Sequence, residues 1–264
     1  MVNFVFLDSG AGGLPYMLKL KSLSPSSNCI YVGDTANFPY GEKTSDQIIE
    51  NATACVKKII EKWNPHAIVI ACNTISVTAL QQLRQRFPNT PFIGTVPAIK
   101  PASLLSKKRK IGLLATNATV NHEYTKKLIS DFASDCEIVS RGDPELISFI
   151  EHNYFSSTAQ EQEDAVKPAV DFFRKAGCDV IVLACTHFLN MADVIQRVCG
   201  EDIKVVDSRD GVARHALEID SNFNQEGNSN QSSILYVTGF TQNNDQLNYE
   251  NFCMNNGIEF GGLL

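Results

Sequence analysis

The sequence of 264 residues predicts an α/β protein of two pseudosymmetric domains, each a mainly parallel sheet flanked by helices. Strand-like and helix-like apolar patterns alternate along most of the chain, as they do in parallel sheets covered by helices. The apolar run at 67–74, which ends in Ala-Cys-Asn-Thr, has a counterpart at 180–187 that ends in Ala-Cys-Thr-His. Such runs are typical of buried parallel strands whose carboxyl ends open into a polar crevice. Two thiols at two similar strand ends indicate one shared site made from two similar halves.

Composition places the chain among globular proteins and argues against several classes. The sequence is 44% apolar and 20% charged, and no segment approaches the roughly 18 uninterrupted apolar residues of a membrane helix. Its net charge is -6 and its one basic cluster is short, at 107–110, so neither nucleic acid nor a membrane is an expected partner. The first residues lack the basic region of a secretory signal, and the eight cysteines are too sparse for a disulfide scaffold. We expect a cytoplasmic protein with reduced thiols.

The first part of the chain contains four strand patterns, each followed by turn or capping residues. Pro15 suits the first turn of a helix that follows the glycine-rich turn 9–13. Thr44 can cap a helix in which apolar residues recur at helical spacing, and this spacing turns Cys55 toward a core. The elements expected here are strands at 3–8, 29–32, from 67 and at 92–93, and helices from 14, from 44–46 and at 77–86.

Strand and helix patterns alternate again after Pro97 and Pro101, which flank the expected crossing into a second domain. We expect one domain to comprise 1–97 with 209–264 and the other to comprise 98–208. The Gln/Asn/Ser-rich stretch 224–233 is expected to be a mobile loop without chemistry. The elements expected after the crossing are strands at 110–115, 137–139, 180–184 and 235–237, and helices from 116–119 to 132, around 145–151, at 165–176 and at 211–219.

Polar side chains follow the ends of most of these strands. Ligands of parallel sheets lie beyond the carboxyl ends of the strands, so these polar residues should meet in one crevice. A cysteine acts as a base or nucleophile only as the thiolate, and its ordinary pKa of about 8.5 requires a nearby donor or cation. His187 is the candidate beside Cys185, because side chains two residues apart on an extended segment lie on the same side. Asp8 is the candidate near Cys72. The polar ends are 8–9, 34–35, 72–74, 116–119 and 185–187.

Each candidate also has a structural interpretation. His187 could be a histidine that is simply hydrogen-bonded in a loop, and Asp8 could cap a helix. A single cysteine in such a chain is most often a small buried apolar side chain. We expect this second role for Cys29, Cys55, Cys136, Cys178, Cys199 and Cys253.

Three other kinds of site fit the pattern less well than an acid-base site. The glycines of 9–13 miss the dinucleotide fingerprint, so this turn more naturally presents backbone N–H groups to a carboxylate. A Cys-His protease would give the second cysteine no use. Two bases of the same kind instead suit a reaction in which one removes a proton from carbon while the other delivers a proton to the opposite face. The third alternative is a zinc ion held by Cys72, Cys185, His187 and Asp8.

Four ordered motifs connect the chain with a known family. They are Leu-Asp-Ser-Gly-Ala-Gly-Gly at 7–13, Gly-Asp-Thr with Pro-Tyr-Gly at 33–41, Ala-Cys-Asn-Thr at 71–74 and Cys-Thr-His-Phe at 185–188. With them the chain resembles the glutamate racemases, cofactor-independent enzymes that make D-glutamate for peptidoglycan. The segments 94–101 and 111–116 resemble the enterobacterial-type branch, which suggests a Gram-negative source. Ala184, where many relatives have glycine, and Phe188-Leu189, in place of an aromatic-proline pair, depart from the family pattern and leave the local backbone open.

The resemblance implies two α/β domains with the active site in the cleft between them, and racemisation of glutamate by two-base proton transfer at Cα. It implies that Cys72 and Cys185 are the two bases. Asp8 and His187 would assist them, and Glu151 would contribute near the histidine. Neither pyridoxal phosphate nor a metal is expected as a cofactor. The substrate would be held by Ser9, Pro39, Tyr40, Gly41, Asn73, Thr74, Thr116, Thr119 and Thr186.

The partner implied by the resemblance is the small molecule glutamate, and a homodimer is a further expectation. Two alternatives stay open. An aspartate racemase or a related Cys-Cys racemase differs in pocket depth by one methylene of substrate, which the sequence does not display. A non-catalytic amino-acid-binding protein on the same fold would bind its ligand without exchanging the Cα proton.

Overall fold

The computed structural model of the chain describes residues 2–220, 233–241 and 245–264. The described parts of Met1–Thr95 and Arg209–Leu264 form one compact unit, and Val96–Ser208 forms a second. The expected loop at 224–233 lies, apart from Ser233, outside the described residues. No helix in the described ranges combines the length and the apolar character that a bilayer crossing needs.

The chain begins with alternating strands and helices, as the sequence predicts. Thr44 accepts a hydrogen bond from the Gln47 backbone and Gln47 reaches back to Thr44, so a capping box sets the start of the second helix. Cys55 on this helix is buried, as expected from the helical spacing. The elements are β1 (Phe4–Asp8), α1 (Leu14–Leu23), β2 (Cys29–Gly33), α2 (Ser45–Trp63), β3 (Ala67–Ile70), α3 (Asn73–Arg86) and β4 (Phe92–Gly94).

The third helix starts four residues earlier than the sequence predicts. We expected its first residue to be Val77, but α3 begins at Asn73, with Cys72 as the residue before its first turn. Asn73 and Thr74 favour turns in isolation, yet they are well placed in a first helical turn, where backbone N–H groups have no partner within the helix. The helix therefore begins directly at the first thiol.

The second unit continues the alternation, but several of its elements differ from the expected ones. The long helix α8 begins at Ala159 rather than 165, because Thr158 and Glu161 form a capping box there. The helix expected from 116–119 to 132 is divided at His122. The elements are α4 (Ile99–Leu105), β5 (Lys110–Ala115), α5 (Asn117–Asn121), α6 (Glu123–Phe132), β6 (Glu137–Gly142), α7 (Pro144–His152), α8 (Ala159–Ala176), β7 (Val180–Leu183), α9 (Ala192–Cys199) and β8 (Lys204–Val206).

Helix α4 occupies part of the stretch that the sequence assigns to an irregular crossing. Pro101 is its third residue, a position at which the missing N–H of proline removes no helical hydrogen bond. Proline therefore marks the beginning of a helix here. The last elements of the chain return to the first unit and include a helix and a strand that the sequence reasoning missed. They are α10 (Arg209–Asp220), β9 (Ile234–Val237), α11 (Asp245–Asn255) and β10 (Glu259–Leu263).

Every described strand pairing is parallel, which confirms the predicted fold class. The first unit holds six strands in the order β10-β9-β2-β1-β3-β4, and the second holds four in the order β6-β5-β7-β8. The arrangement β2-β1-β3-β4 and the arrangement β6-β5-β7-β8 follow the same connectivity. The two units thus repeat one four-stranded plan, and β9 and β10 extend only the first.

The cores lie between the sheets and their helices. In the first unit, alternate residues of β1 and β3 such as Val5, Leu7 and Ile68 pack with apolar residues of α2 and α3. Five of the six cysteines assigned to the core are buried, and Cys136 is the exception because its side chain is partly exposed beside the start of β6. That cysteine still packs against the core of the second unit.

Candidate active site

The two cysteines of interest follow equivalent strands of the two sheets. In the first unit, Leu7 of β1 pairs with Ile70 of β3, and Cys72 lies two residues beyond that pair. In the second unit, Leu114 of β5 pairs with Leu183 of β7, and Cys185 lies two residues beyond. Both thiols are buried and both are free cysteines. The repeated plan therefore presents one thiol at the same point of each unit.

Asp8, the last residue of β1, is fully buried and holds the glycine-rich turn. Its Oδ1 accepts a hydrogen bond from the Ser9 backbone N–H at 2.7 Å, and its Oδ2 accepts one from the Gly13 N–H at 2.6 Å. The Tyr31 hydroxyl lies 3.2 Å from the same Oδ2. Gly13 precedes α1, so Asp8 does act at a helix start, as its structural interpretation proposes. It also lies at the edge of the sheet where Cys72 emerges from the neighbouring strand.

The loop after β2 is organised by Asp34, a buried carboxylate. Tyr40 donates its hydroxyl proton to Asp34 Oδ2 at 2.5 Å, and Asn37 donates to both carboxylate oxygens. Thr238, which follows β9, donates to Oδ1 at 2.7 Å. Burial and the negative charge of Asp34 raise the pKa of the Tyr40 hydroxyl, so it remains a donor. Pro39, preceded by a cis peptide bond, and Gly41 flank Tyr40 on this loop.

The first turn of α3 carries polar side chains that are almost completely buried. Ser9, Asn73 and Thr74 are all buried at the carboxyl ends of β1 and β3. The side-chain oxygen of Asn73 has no hydrogen-bond partner, although the residue is only 2% exposed. A buried acceptor without a partner is costly, and a ligand N–H group would satisfy it.

Cys185, His187 and Glu151 form a hydrogen-bonded series in the second unit. His187 Nδ1 lies 3.7 Å from the Cys185 sulfur, and His187 Nε2 lies 2.8 Å from Glu151 Oε2. The side chains of His187 and Glu151 are 3% and 2% exposed. Glu151 reaches the histidine because α7 packs against the turn Thr186–Met191. The structure thus places the glutamate against the histidine, where the sequence expectation put it.

The route by which His187 meets Cys185 differs from the expected one. We expected Cys185 and His187 to lie on one extended segment, but Thr186–Met191 forms a 3₁₀ helix that begins directly after Cys185. The contact survives because this tight turn returns the imidazole toward the preceding thiol. Cys185 and His187 are thus in contact, although the extended geometry expected for them was wrong.

The charge of His187 is set by its two neighbours. Burial disfavours the imidazolium, but hydrogen bonds and charge interactions with Cys185 and Glu151 outweigh it and hold the pKa of His187 well above its ordinary range. An imidazolium at this position can donate a hydrogen bond to the Cys185 sulfur. By contrast, burial raises the pKa of Cys29 and Cys253 to about 12 and of Cys178 and Cys199 to about 11, so these thiols stay protonated at neutral pH.

Three predicted threonines lie at strand ends of the second unit. Thr116 follows β5 and caps α5 by accepting a hydrogen bond from the Thr119 N–H at 3.1 Å. The hydroxyl groups of Thr116 and Thr119 are 3.0 Å apart. Thr186 is buried next to Cys185. In the first unit, Ser9, Asn73 and Thr74 likewise lie where strands end.

Two residues that the sequence did not predict, and a third that it predicted only as part of the polar end 34–35, hold the predicted site residues in place. Tyr31 contacts Asp8, Asp34 holds the Tyr40 loop, and Thr238 contacts Asp34 from a segment 204 positions away in the chain. Asp34 had a signal, since it belongs to the Gly-Asp-Thr motif. Tyr31 and Thr238 had none, because one looks like an ordinary strand residue and the other lies beyond the motifs.

Comparison with known proteins agrees with this geometry. The family model described as Asp/Glu/Hydantoin racemase matches residues 18–216. The chain belongs to the Asp/Glu/hydantoin racemase family. Glutamate racemase of Treponema pallidum is 39% identical over 263 residues, covering 99% of this chain and 96% of that protein. Glutamate racemase of Shewanella oneidensis is 37% identical over 241 residues, covering 87% and 86%.

Solved structures of this racemase family share the fold over the whole chain. Escherichia coli glutamate racemase, solved with L-glutamate and an activator, UDP-MurNAc-Ala, superposes with a TM-score of 0.86 at 31% identity, over 100% of this chain and 98% of that one. The Francisella tularensis enzyme in complex with D-glutamate gives a TM-score of 0.79 at 25% identity, over 100% and 96%. The resemblance inferred from the four motifs is confirmed.

Proposed function

We propose that this protein racemises glutamate, interconverting the L and D enantiomers by proton transfer at Cα. Relatives at 37–39% identity are named glutamate racemases, and similar structures contain L-glutamate or D-glutamate. The observation that carries the proposal is the pair of buried thiols at equivalent strand ends, of which Cys185 lies beside the His187 imidazole.

Two-base chemistry needs one thiolate and one thiol at the start of each turnover. The thiolate removes the Cα proton, and the other thiol delivers its own proton to the opposite face of the resulting carbanion. The electron pair returns to Cα, so the centre is inverted and the two sulfurs have exchanged protonation states. The enzyme is then ready for the opposite enantiomer.

Different groups control the two thiols. The His187 imidazolium, held by Glu151, stabilises the thiolate of Cys185 and can supply charge compensation as that thiol loses its proton. We propose that Asp8 controls the proton of Cys72. A carboxylate opposes a nearby thiolate, so we propose that the substrate ammonium or a shared proton balances the charge on that side.

The same proposal assigns substrate recognition to uncharged groups. The unpartnered Asn73 oxygen is suited to accept a hydrogen bond from the substrate ammonium. Hydroxyl groups and backbone N–H groups can hold the carboxylates when water is excluded. We propose this role for Ser9, Pro39, Tyr40, Gly41, Thr74, Thr116, Thr119 and Thr186. We also propose that neither pyridoxal phosphate nor a metal takes part.

The decisive experiment follows exchange of the Cα proton with deuterated solvent. Wild-type protein should wash deuterium into both L-glutamate and D-glutamate, whereas Cys72→Ser and Cys185→Ser should each reduce racemisation by at least about a thousandfold, since a serine hydroxyl is a far weaker acid than a thiol. Cys136→Ser, at the partly exposed cysteine, is the matched control and should retain wild-type turnover. Near-normal turnover by either active-site variant would refute the two-base mechanism.

The substrate is tested by the same assay with aspartate in place of glutamate. We expect faster exchange on glutamate, because pocket depth discriminates one methylene by roughly 10-fold to 200-fold. Faster exchange on aspartate would reassign the protein to the aspartate racemases. Tight binding of glutamate without any exchange would instead support the non-catalytic alternative.

We further propose that the reaction takes place in the cytoplasm and supplies D-glutamate for peptidoglycan. A conditional loss of the gene product should then be rescued by D-glutamate in the medium but not by L-glutamate. The homodimer expected from the resemblance is a separate proposal, which sedimentation of the purified chain tests.

A further inference from the structure

Tyr31 contacts Asp8 and shares the Gly13 N–H with it, but it takes no part in the mechanism described so far. It lies on β2, two residues before Gly33, which pairs with Asp8 in the sheet. Its side chain is fully buried, and so is that of Asp8. A buried carboxylate cannot rely on bulk water to balance a change in its charge. When the charge of Asp8 changes, the hydrogen bonds from the groups that contact it must therefore change as well.

The Tyr31 hydroxyl is placed to make that response. Its oxygen lies 3.2 Å from Asp8 Oδ2 and 2.9 Å from the backbone oxygen of Gly10. It also accepts a hydrogen bond from the Gly13 N–H at 2.9 Å, and that N–H lies 2.6 Å from the same Asp8 oxygen. A phenol has one proton to donate, so the hydroxyl cannot donate fully to both Asp8 and Gly10.

The two acceptors, Gly10 and Asp8, differ in their distance from the hydroxyl and in the strength of the hydrogen bond that they can accept. The Gly10 carbonyl is nearer, but an ionised carboxylate accepts a stronger, charge-assisted hydrogen bond. A rotation of the hydroxyl proton exchanges one acceptor for the other without moving any heavy atom. The preferred acceptor is Asp8 when its carboxylate is ionised and Gly10 when that carboxylate is neutralised.

We propose that Tyr31 is a positioning residue whose hydroxyl proton follows the charge of Asp8 during the half-reaction that uses Cys72. The inference rests on the proposed function, since it gives Asp8 the part of partner to that thiol. The second unit controls its thiol differently, through His187 and Glu151. Removal of the Tyr31 hydroxyl should therefore slow the proton transfer that involves Cys72 and leave the one that involves Cys185 unchanged.

The test compares Tyr31→Phe with wild type, using Tyr249→Phe as the matched control. Tyr249 is a buried tyrosine of the same unit, carried by α11 with its ring stacked on Phe260. We expect Tyr31→Phe to lower kcat/KM by about tenfold, the effect of one hydrogen bond to a charged group. The decrease must be equal in both directions because the two enantiomers have the same free energy.

Isotope effects and pH profiles separate this role from a merely structural one. With Cα-deuterated substrates, the primary isotope effect should rise for the enantiomer whose proton Cys72 removes and should not rise for the other. Asp8→Asn should raise the primary isotope effect for that same enantiomer. The acidic limb of the kcat/KM profile should move to higher pH by about half a unit to one unit, because the ionised carboxylate has lost a donor. Tyr249→Phe should show neither change.

A double-mutant cycle gives a second, independent measurement. If Tyr31 acts through Asp8, adding Tyr31→Phe to Asp8→Asn should cost less than twofold in kcat/KM. Isotope effects and a pH profile like those of wild type in Tyr31→Phe, or full additivity in the cycle, would overturn the inference while leaving the racemase proposal intact. An absence of racemisation in the wild type would instead remove the proposed function itself.

Discussion

His187 is the residue whose charge depends most on its neighbours. Cys185 and Glu151 lie on either side of its ring, and the carboxylate accepts from Nε2. This contact orients the imidazole and retains the proton that Cys185 needs nearby. His122 makes a useful contrast, because burial lowers its pKa and its Nδ1 accepts a backbone hydrogen bond from Tyr124.

The two histidines should titrate on opposite sides of the ordinary histidine pKa of about 6.5. A raised pKa means that the proton is retained as pH increases, so His187 should stay an imidazolium to a higher pH than an ordinary histidine, whereas His122 should lose its proton at a lower pH. The ¹⁵N chemical shifts of protein labelled at its histidine side chains, followed against pH, measure the titration of both residues. The His187→Gln variant assigns the His187 signals. Glu151→Gln should lower the His187 titration point and leave that of His122 in place. A neutral His187 at neutral pH would contradict the mechanism for Cys185.

Gly13 is required by packing at the end of the glycine-rich turn. A Cβ atom there would lie 2.3 Å from the backbone oxygen of Ala71 and 2.9 Å from Asp8 Oδ2. Gly13→Ala should destabilise the protein by roughly 1–3 kcal/mol, the usual cost of overpacking, and should also displace Asp8. Gly211→Ala, in α10 with open space around it, should instead stabilise by about 0.5–1 kcal/mol. Chemical denaturation of both variants measures the difference, and equal effects would contradict the packing argument.

At the scale of elements, the segment after β9 holds the loop that carries Tyr40. The Thr238 hydroxyl donates to Asp34 and accepts from the Ala36 N–H at 3.0 Å. Thr35 donates to the Gly239 carbonyl oxygen at 2.5 Å and accepts from the Gly239 N–H at 3.1 Å. A loop near the start of the chain, for which we propose a role in substrate binding, is thus positioned by a segment near its end.

Thr238→Val should therefore affect binding more than chemistry. The change keeps the shape of the side chain and removes its hydrogen bonds to Asp34 and Ala36, so the loop at Pro39–Gly41 should loosen. We expect KM for glutamate to rise about threefold to tenfold, the effect of one or two ordinary hydrogen bonds, with kcat nearly unchanged. Steady-state kinetics in both directions measures this effect.

Thr241→Val is the control for that prediction. Thr241 donates its hydroxyl to Asp245 at the start of α11 and does not contact Asp34 in the structure. Its replacement should cost about 1 kcal/mol of stability, as the loss of one ordinary hydrogen bond does, and should leave KM unchanged. A rise in KM for Thr241→Val as large as that for Thr238→Val would show that the effect is not specific to the Asp34 contact.

At the scale of the whole molecule, the repeated plan predicts where substrate acts. If both thiols serve one reaction, saturating D-glutamate should slow amide hydrogen exchange at the start of α3 in the first unit and at Thr186–Met191 in the second. The strand starts of both sheets should change little, because ligands of parallel sheets lie beyond the carboxyl ends. Hydrogen exchange with mass spectrometry measures this. Protection confined to one unit would argue against a reaction that uses both cysteines.

Much of the fold could be predicted because its signals are local. Buried parallel strands are continuous apolar runs, and caps such as Thr44 mark helix starts, so most elements were placed within a few residues. The misses have local causes as well. Asn73 and Pro101 resemble turn residues but occupy first helical turns, and the late elements α11 and β10 have weak apolar patterns.

The sequence by itself determined the fold class, the two strand-end thiols and the family, because each is written in short contiguous motifs. Only the tertiary structure decided the contacts of Tyr31 and Thr238, whereas Glu151 was already expected near His187 from the resemblance. Tyr31 meets Asp8, Glu151 meets His187 and Thr238 meets Asp34 because sheet order and helix packing bring distant segments together. Such contacts depend on how neighbouring strands are paired and aligned, which no local pattern specifies. The short motifs therefore indicated the candidate thiols, while contacts such as those of Tyr31 and Thr238 depended on the tertiary structure.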